Sequence, residues 1–492
     1  MVNLIIDCYT DEPAGLGVPP YLGVYPRYLA GQLNNYYYLT IDDLRLFKHF
    51  NSQIPITKES QKTNIKIHNL TNNYEKVKKL LEQASNIYIV VGVHTPGKYL
   101  SALPGTLPEV TSIIKNYPAN KILCGPASTI FGTKNHGGKI VDKNQQQLIN
   151  NNFNQKLDLD NIPYPELKKY ATQGAKIVKQ IPWIIIAEIE TGRGCSYGKC
   201  SFCTDALKHK LEFREQEDIH QEINKLRELG VEHFRLGKQT CFYSYKNNDP
   251  EEIEKLLKPL QGLKTLHIDN VNPLNVISKN GEEITGLIVK YCTSGNIAAF
   301  GVESFDPIIS KENNLNCNPE IVYQAVKIIN KYGKEIGNNG MPKFLPGINI
   351  IFGLKGETKD TNKENIKWLK RFLDEDLLLR RINIRQVIPY PGTNFFKEVK
   401  NKVIKKNKKY YWKWRNEIRQ EIDYPMLKKL LPEGTILKNA LAELYDGKTT
   451  FCRQLGSYPI IIGVKKRLEL NKFYDIKITK HMLRSVTGEI VS

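Results

Sequence analysis

Three cysteines, Cys195, Cys200 and Cys203, fall within nine residues of one glycine-bearing segment, Thr191-Gly192-Arg193-Gly194-Cys195-Ser196-Tyr197-Gly198-Lys199-Cys200-Ser201-Phe202-Cys203. With four and then two residues between them, their thiolates can face one concave site. Soft thiolates select zinc, copper(I) or an iron–sulfur cluster. Structural zinc and electron-transfer [4Fe–4S] sites normally take four protein ligands. No fourth cysteine lies near in sequence, and His209, in Leu207-Lys208-His209-Lys210, reads as an exposed helix start. Three ligands to a cubane leave one iron open, and an open iron can chelate a cofactor or substrate. On ligand type alone, zinc and simple electron transfer stay as alternatives. Arg193 and Lys199 beside the sulfurs would favour the thiolate form. The other six cysteines, Cys8, Cys124, Cys241, Cys292, Cys317 and Cys452, are scattered and read as small buried side chains.

The elements around this loop must place it. A strand-like run, Trp183-Ile184-Ile185-Ile186-Ala187, leads into the loop, and a helix-like stretch, 218–229, follows it. Further strand candidates lie at 233–237, 265–269, 297–302, 348–353 and 381–388, separated by helical patterns such as 362–377. Repeated β–α units of this length predict a full or partial β/α barrel over 181–398, with working residues at the carboxyl ends of its strands. Residues 1–150 hold apolar runs at 4–8, 87–92 and 121–125, which predict a small parallel α/β domain. The Pro/Gly-rich stretch 11–20 follows the first run, where such sheets bind ligands; an ordinary long turn is the equal alternative. The polar stretch 135–180 reads as a linker, centred on 151–180. Residues 399–425 are basic and aromatic together, and 426–492 read as short strands of a small β-barrel. The fold class expected is therefore α/β with a C-terminal β-barrel.

At roughly 100–200 residues per domain, 492 residues suit two to four domains. Lys and Arg number 71 against 51 Asp and Glu, a net charge of +20. That excess concentrates polyanions, of which nucleic acid is the commonest in the cytosol. Lys405, Lys406, Lys408, Lys409, Trp412 and Trp414 could bind RNA phosphates and stack on bases. The competing reading is an amphipathic helix with its aromatics packed on the barrel and its lysines solvated. No run approaches the roughly 18 apolar residues of a membrane span, and the first residues lack a signal peptide's features. A cytoplasmic protein without membrane contact is expected.

The cysteine loop resembles the cluster-binding loop of radical SAM enzymes, where an aromatic residue precedes the last cysteine, as Phe202 does here. The first gap is one residue longer than the usual three. Gly237 stands where that family's second strand meets the methionine part of S-adenosylmethionine. Gly301-Val302-Glu303-Ser304 resembles the fourth-strand motif; Ser304 as a helix cap is the alternative. Gly353-Leu354-Lys355-Gly356-Glu357-Thr358 resembles the fifth-strand motif, with Lys355 replacing a proline. Arg385-Gln386-Val387 and Pro389-Tyr390-Pro391-Gly392-Thr393 resemble the sixth-strand end near the adenine. The resemblance implies a [4Fe–4S] cluster on Cys195, Cys200 and Cys203. It places Phe202, Gly237, Glu303, Ser304 and Arg385 around S-adenosylmethionine. It also implies an electron donor such as ferredoxin or flavodoxin, and a 5′-deoxyadenosyl radical that abstracts a hydrogen atom from the substrate.

The whole chain is similar to an uncharacterised radical SAM family with a cobalamin-binding-like, flavodoxin-like N-terminal domain. The stretches that carry this are 11–21, Ile268-Asp269-Asn270-Val271-Asn272-Pro273 and Thr450-Phe451-Cys452-Arg453-Gln454-Leu455-Gly456-Ser457-Tyr458-Pro459. Longer members add a helix–hairpin–helix, which this sequence does not show. The layout is also similar to tRNA methylthiotransferases, which end in a TRAM barrel. Those enzymes use three further N-terminal cysteines, whereas only Cys8 and Cys124 occur there in this chain, so their sulfur-insertion route is not expected. For cobalamin, His94 lacks the aspartate of the usual histidine-donating motif; binding without that ligand stays open. The leading expectation is modification of an RNA nucleoside, most of all in tRNA. The alternatives are cobalamin-dependent methyl transfer to a protein or small molecule, and a non-catalytic Fe–S or zinc module.

Overall fold

The computed structural model describes residues 1–10, 19–55, 67–92, 102–129, 133–135, 139–140, 143–316 and 318–491. The stretch 11–18, His94 and Cys317 lie outside the described residues. The chain divides into two compact units, residues 1–190 with 214–232, and residues 191–213 with 233–492.

Five strands form the sheet of the first unit: Asn3–Asp7, Tyr36–Thr40, Asn86–Val90, Asn120–Cys124 and Gln155–Leu157. All neighbouring pairs are parallel. Side by side they run second, first, third, fourth, fifth in chain order, the flavodoxin-like arrangement. Leu4, Ile5, Ile6, Ile87, Ile89 and Leu123 are fully buried, as a parallel sheet covered on both faces requires.

The expected linker is folded. Lys143–Asn152 is a helix, Gln155–Leu157 is the fifth strand, and Tyr164–Gly174 is a second helix. Composition misled because the Asn/Gln-rich helix buries only Ile149. The helix Tyr164–Gly174 packs closely on the helix Val24–Gln32: a Cβ on Gly31 would meet the Tyr170 carbonyl oxygen at 1.9 Å, and one on Gly174 the Arg27 oxygen at 1.8 Å. Two elements expected in the barrel also group with this unit. The strand Ile186–Glu190 pairs in parallel with Tyr21–Leu22. The helix Gln216–Glu228 brings Glu222 between Arg27 and Arg214, at 2.8 and 2.7 Å, all three buried.

The second unit holds the remaining barrel strands, all parallel. His233–Gly237 pairs with Thr265–Ile268. Asn270–Val271, Asn296–Glu303, Phe344–Phe352 and Arg381–Gln386 follow in that order. Helices such as Pro319–Gly333 and Thr361–Asp374 separate them. The basic aromatic segment is a helix, Lys402–Ile418. The C-terminal residues form a closed five-stranded barrel, in the order Ile436–Asp446, Thr449–Gln454, Ile462–Val464, Val486–Ile490 and Phe473–His481. Its core includes Leu437, Ala442, Cys452, Ile462 and Ile476.

Candidate active site

Local pairing closes the cysteine loop on itself. Gly192–Arg193 pairs antiparallel with Glu212–Phe213. Gly194 follows at φ +81°, and a Cβ there would meet the Lys210 carbonyl oxygen at 2.3 Å, so no larger residue fits the neck. Its carbonyl accepts a hydrogen bond from Thr240 Oγ1 at 2.8 Å. Ser201 anchors the far side: its amide donates to Asn313 O at 2.9 Å, its hydroxyl to Asn313 Oδ1 at 3.1 Å, and its carbonyl accepts from the Phe395 amide at 2.9 Å. Cys195, Cys200 and Cys203 are all partly exposed. Burial pushes the Cys203 thiol up to about 11, and the charges of Asp205, Cys195 and Glu303 add to the shift while a backbone hydrogen bond near Asp205 opposes it.

Among the described residues, no three His, Cys, Asp or Glu side chains converge as a single ion needs. That is no obstacle to a cubane, which takes each thiolate at a different iron. Arg193 is buried and its charge is answered by Glu212 at 3.5 Å. Lys199 lies 6.0 Å from the Tyr197 ring centroid. His209 is not the exposed residue expected: its side chain is 8% exposed and its Nδ1 sits 3.1 Å from Asp205 Oδ1.

The carboxyl ends of the strands bring the other candidates into the same unit. Gly237 ends its strand, and Lys238 turns the chain at φ +65°. Gln239 follows, buried, with neither amide atom hydrogen-bonded. Sequence reading missed Gln239; its place two residues beyond the strand-end glycine was the available signal. The strand Asn296–Glu303 breaks register between Phe300 and Glu303. Glu303 stands at φ +64°, a strained conformation for a residue with a Cβ. Its Oε2 is buried without a hydrogen-bond partner. Burial raises its pKa to about 8, opposed by the Arg385 charge. The Nε of Arg385 is also buried and unpartnered.

Ser304 does something else. Its hydroxyl accepts from the Asp306 amide at 3.1 Å and faces Asn365 Oδ1 at 3.5 Å, which braces the turn into the next helix. Phe202 packs against the buried group of Ile309, Leu354, Val387, Phe395 and Val399. The 353–358 turn is held by its own contacts: the Gly353 amide donates to Glu357 Oε2 at 2.6 Å, and Lys355 bridges Glu312 and Glu398.

An amide, a carboxyl and a guanidinium nitrogen, all buried with unused hydrogen-bonding atoms, thus stand in the unit that carries three partly exposed thiols. Such atoms are costly to leave unmade. The set fits a cluster-bound ligand that carries an amine and a carboxylate.

The basic helix divides by face. Lys405, Lys406, Lys408 and Lys409 are exposed, and Trp412 is 68% exposed. Trp414, expected to stack on bases, is instead buried against Phe352 and Tyr410, at ring distances of 5.2 and 5.3 Å. The strand end Phe352 offers an apolar seat, and only one of two tryptophans two residues apart can occupy it.

Residues 189–369 match the family described as the radical SAM superfamily. An uncharacterised protein of Methanocaldococcus jannaschii is 42% identical over 99% of this chain and 93% of its own length. The ribosomal protein uS12 methylthiotransferase RimO of Clostridioides difficile is 28% identical over 38% of this chain and 40% of its own length. The solved structure of the cobalamin-dependent S-adenosylmethionine radical enzyme OxsB, with aqua-cobalamin and S-adenosylmethionine bound, shares 13% identity and a TM-score of 0.43. That match covers 84% of this chain and 56% of the OxsB chain, so this chain spans little more than half of its length. Among the described residues, no helix is long and apolar enough to cross a membrane.

Proposed function

The chain belongs to the radical SAM superfamily, and on that premise we propose that Cys195, Cys200 and Cys203 hold its [4Fe–4S] cluster and leave one iron to S-adenosylmethionine. The observation that carries this is the set of unused buried polar atoms on Gln239, Glu303 and Arg385. When bound and reduced, the cluster and its cofactor supply a 5′-deoxyadenosyl radical that takes a hydrogen atom from a substrate. The chain's own residues do the rest. Gln239 and Glu303 offer hydrogen bonds to the cofactor's amine and hydroxyls, and Arg385 offers a donor to its carboxylate. Phe202 and its apolar neighbours wall the site from water. Ser304 supports Glu303 through the backbone turn and is a positioning residue. An external donor, ferredoxin or flavodoxin, supplies the electron.

The substrate we infer is RNA, tRNA first. The support is a net charge of +20 and a helix that presents Lys405, Lys406, Lys408 and Lys409 beside an exposed Trp412. Cations for phosphates and an aromatic ring for bases are the usual means of holding single-stranded RNA. The test is anaerobic reconstitution with S-adenosylmethionine and dithionite, with and without total tRNA, read by mass spectrometry. No 5′-deoxyadenosine would remove the radical SAM reading; unchanged nucleosides would remove the RNA reading alone. The flavodoxin-like strand order of the first unit keeps a second reading, cobalamin-dependent methyl transfer to a protein or small molecule. Cobalamin retained by anaerobically purified protein would select it.

A further inference from the structure

Alternate residues of the strand Arg381–Gln386 differ in cover. Ile382 and Ile384 are buried, whereas Arg381, Asn383 and Arg385 are only partly so. The neighbouring strand Phe344–Phe352 repeats the pattern: Ile348, Ile350 and Phe352 are buried, and Asn349 and Ile351 are half-open. The register sets Asn349 beside Asn383, whose amide donates to Asn349 Oδ1 at 3.1 Å. In a β/α array the helices cover one face of the sheet, so the half-open face, polar apart from Ile351, is the lumen.

Two further strands and the C-terminal barrel complete this lumen. Arg235 and Asp269 form a fully buried ion pair. Tyr458 arrives from the turn that joins Thr449–Gln454 to Ile462–Val464. Its hydroxyl lies 3.4 Å from the Arg235 guanidinium and 3.5 Å from Asp269 Oδ1. Its ring centroid lies 3.8 Å from the Arg381 guanidinium carbon. The turn is seated by the Ser457 amide, which donates to His267 Nδ1 at 2.8 Å.

The charges do not balance. Asp269 answers Arg235, and Asp423 answers Arg419. Arg381 has the Asn383 oxygen at 3.2 Å and the Tyr458 ring, and its Nε is buried without a hydrogen-bond partner. Burial lowers its pKa most; Tyr458 opposes that shift, and the guanidiniums of Arg385, Arg419 and Arg235 add to it. A desolvated cation among cations is costly unless an anion meets it.

We propose that this deep part of the lumen binds an oxyanion group of the substrate, a carboxylate or a phosphate, with Arg381 as its fork and Tyr458 as the wall behind it. A guanidinium presents paired donors that match either group. Arg381 precedes Arg385 by four residues, about 13 Å along the strand at ~3.3 Å per residue. The subsite therefore lies deeper in the lumen than the cofactor end, within reach of the Arg385 charge. The inference rests on the barrel being the reaction chamber, yet its test needs neither cluster nor cofactor.

Inorganic phosphate and acetate are titrated separately into the cluster-free full-length chain at constant ionic strength, and phosphorus or carbon line widths are recorded. Saturable broadening is expected with at least one probe, and the one that saturates identifies the group. Arg381→Gln is expected to weaken that binding at least tenfold, and Lys78→Gln, exposed in the first unit, to leave it unchanged. If Arg381→Gln does not fold by its melting curve, Arg381→Lys keeps the charge and loses the fork, and weaker binding is again expected. No saturation with either probe, or unchanged affinity in the folded Arg381 variant, overturns the proposal. Loss of 5′-deoxyadenosine formation with anion binding intact would count against the cluster reading and not against this subsite.

Discussion

His267 makes the seating of the 455–458 turn sensitive to acid. The ring is buried, and burial lowers its pKa from 6.5 to about 4, with the charges of Arg235 and His233 adding to the effect. Hydrogen bonds to the Ser294 and Thr293 backbone oppose it. The Nδ1 that accepts the Ser457 amide must carry no proton, so the docked turn requires the neutral ring. When the turn opens, water reaches the ring and its ordinary pKa returns. The open state then binds more protons than the closed one between pH 6.5 and about 4. The closed state is therefore fully favoured above pH 6.5 and loses its advantage as the pH falls. At about 1.4 kcal/mol per pH unit, the loss is about 2 kcal/mol by pH 5 and about 3 kcal/mol near pH 4. Hydrogen exchange of the 450–460 segment, read by mass spectrometry and corrected for the intrinsic rate, measures this opening. Exchange should be about 30-fold faster at pH 5 than at pH 7, the equivalent of 2 kcal/mol. His267→Gln keeps an acceptor and has no proton to take up, so its corrected exchange should be nearly flat with pH. The same acid acceleration in His267→Gln would refute the reasoning.

Single replacement of Cys195, Cys200 or Cys203 by alanine should leave the chain folded, remove iron from the reconstituted protein, and reduce 5′-deoxyadenosine formation to background. Glu222→Ala strands the buried Arg27 and Arg214 guanidiniums, which should cost about 3–5 kcal/mol in denaturant unfolding of the first unit. Trp414→Ala empties a buried aromatic site and should cost about 3–5 kcal/mol. The exposed Trp412→Ala should stay within about 0.5 kcal/mol while weakening RNA binding by about 1–3 kcal/mol in a filter assay. Gly456→Ala places a Cβ 2.5 Å from His267 Cε1, so it should cost about 1–3 kcal/mol and free the 450–460 segment to exchange.

Local patterns were enough for several conclusions. The cysteine spacing spans nine residues, so a candidate ligand set can be named before any tertiary contact is known. Apolar runs such as Leu4-Ile5-Ile6 and Ile87-Tyr88-Ile89-Val90 announce parallel strands because such strands are covered on both faces. Composition failed where burial is thin: the Asn/Gln-rich helix Lys143–Asn152 packs through Ile149 and looked like a linker. It also failed at Trp412 and Trp414, since which of two tryptophans is covered depends on where Phe352 lies. The strand Arg-Ile-Asn-Ile-Arg at 381–385 displayed its alternation openly. Which face met helices and which met the lumen was not legible, because alternation marks two faces without saying what covers each. The meeting of Tyr458 with Asp269, 189 residues apart, belongs wholly to the folded chain. Spacing along a sequence constrains groups a few bonds apart, whereas the charge balance of a barrel interior depends on the path of the whole backbone.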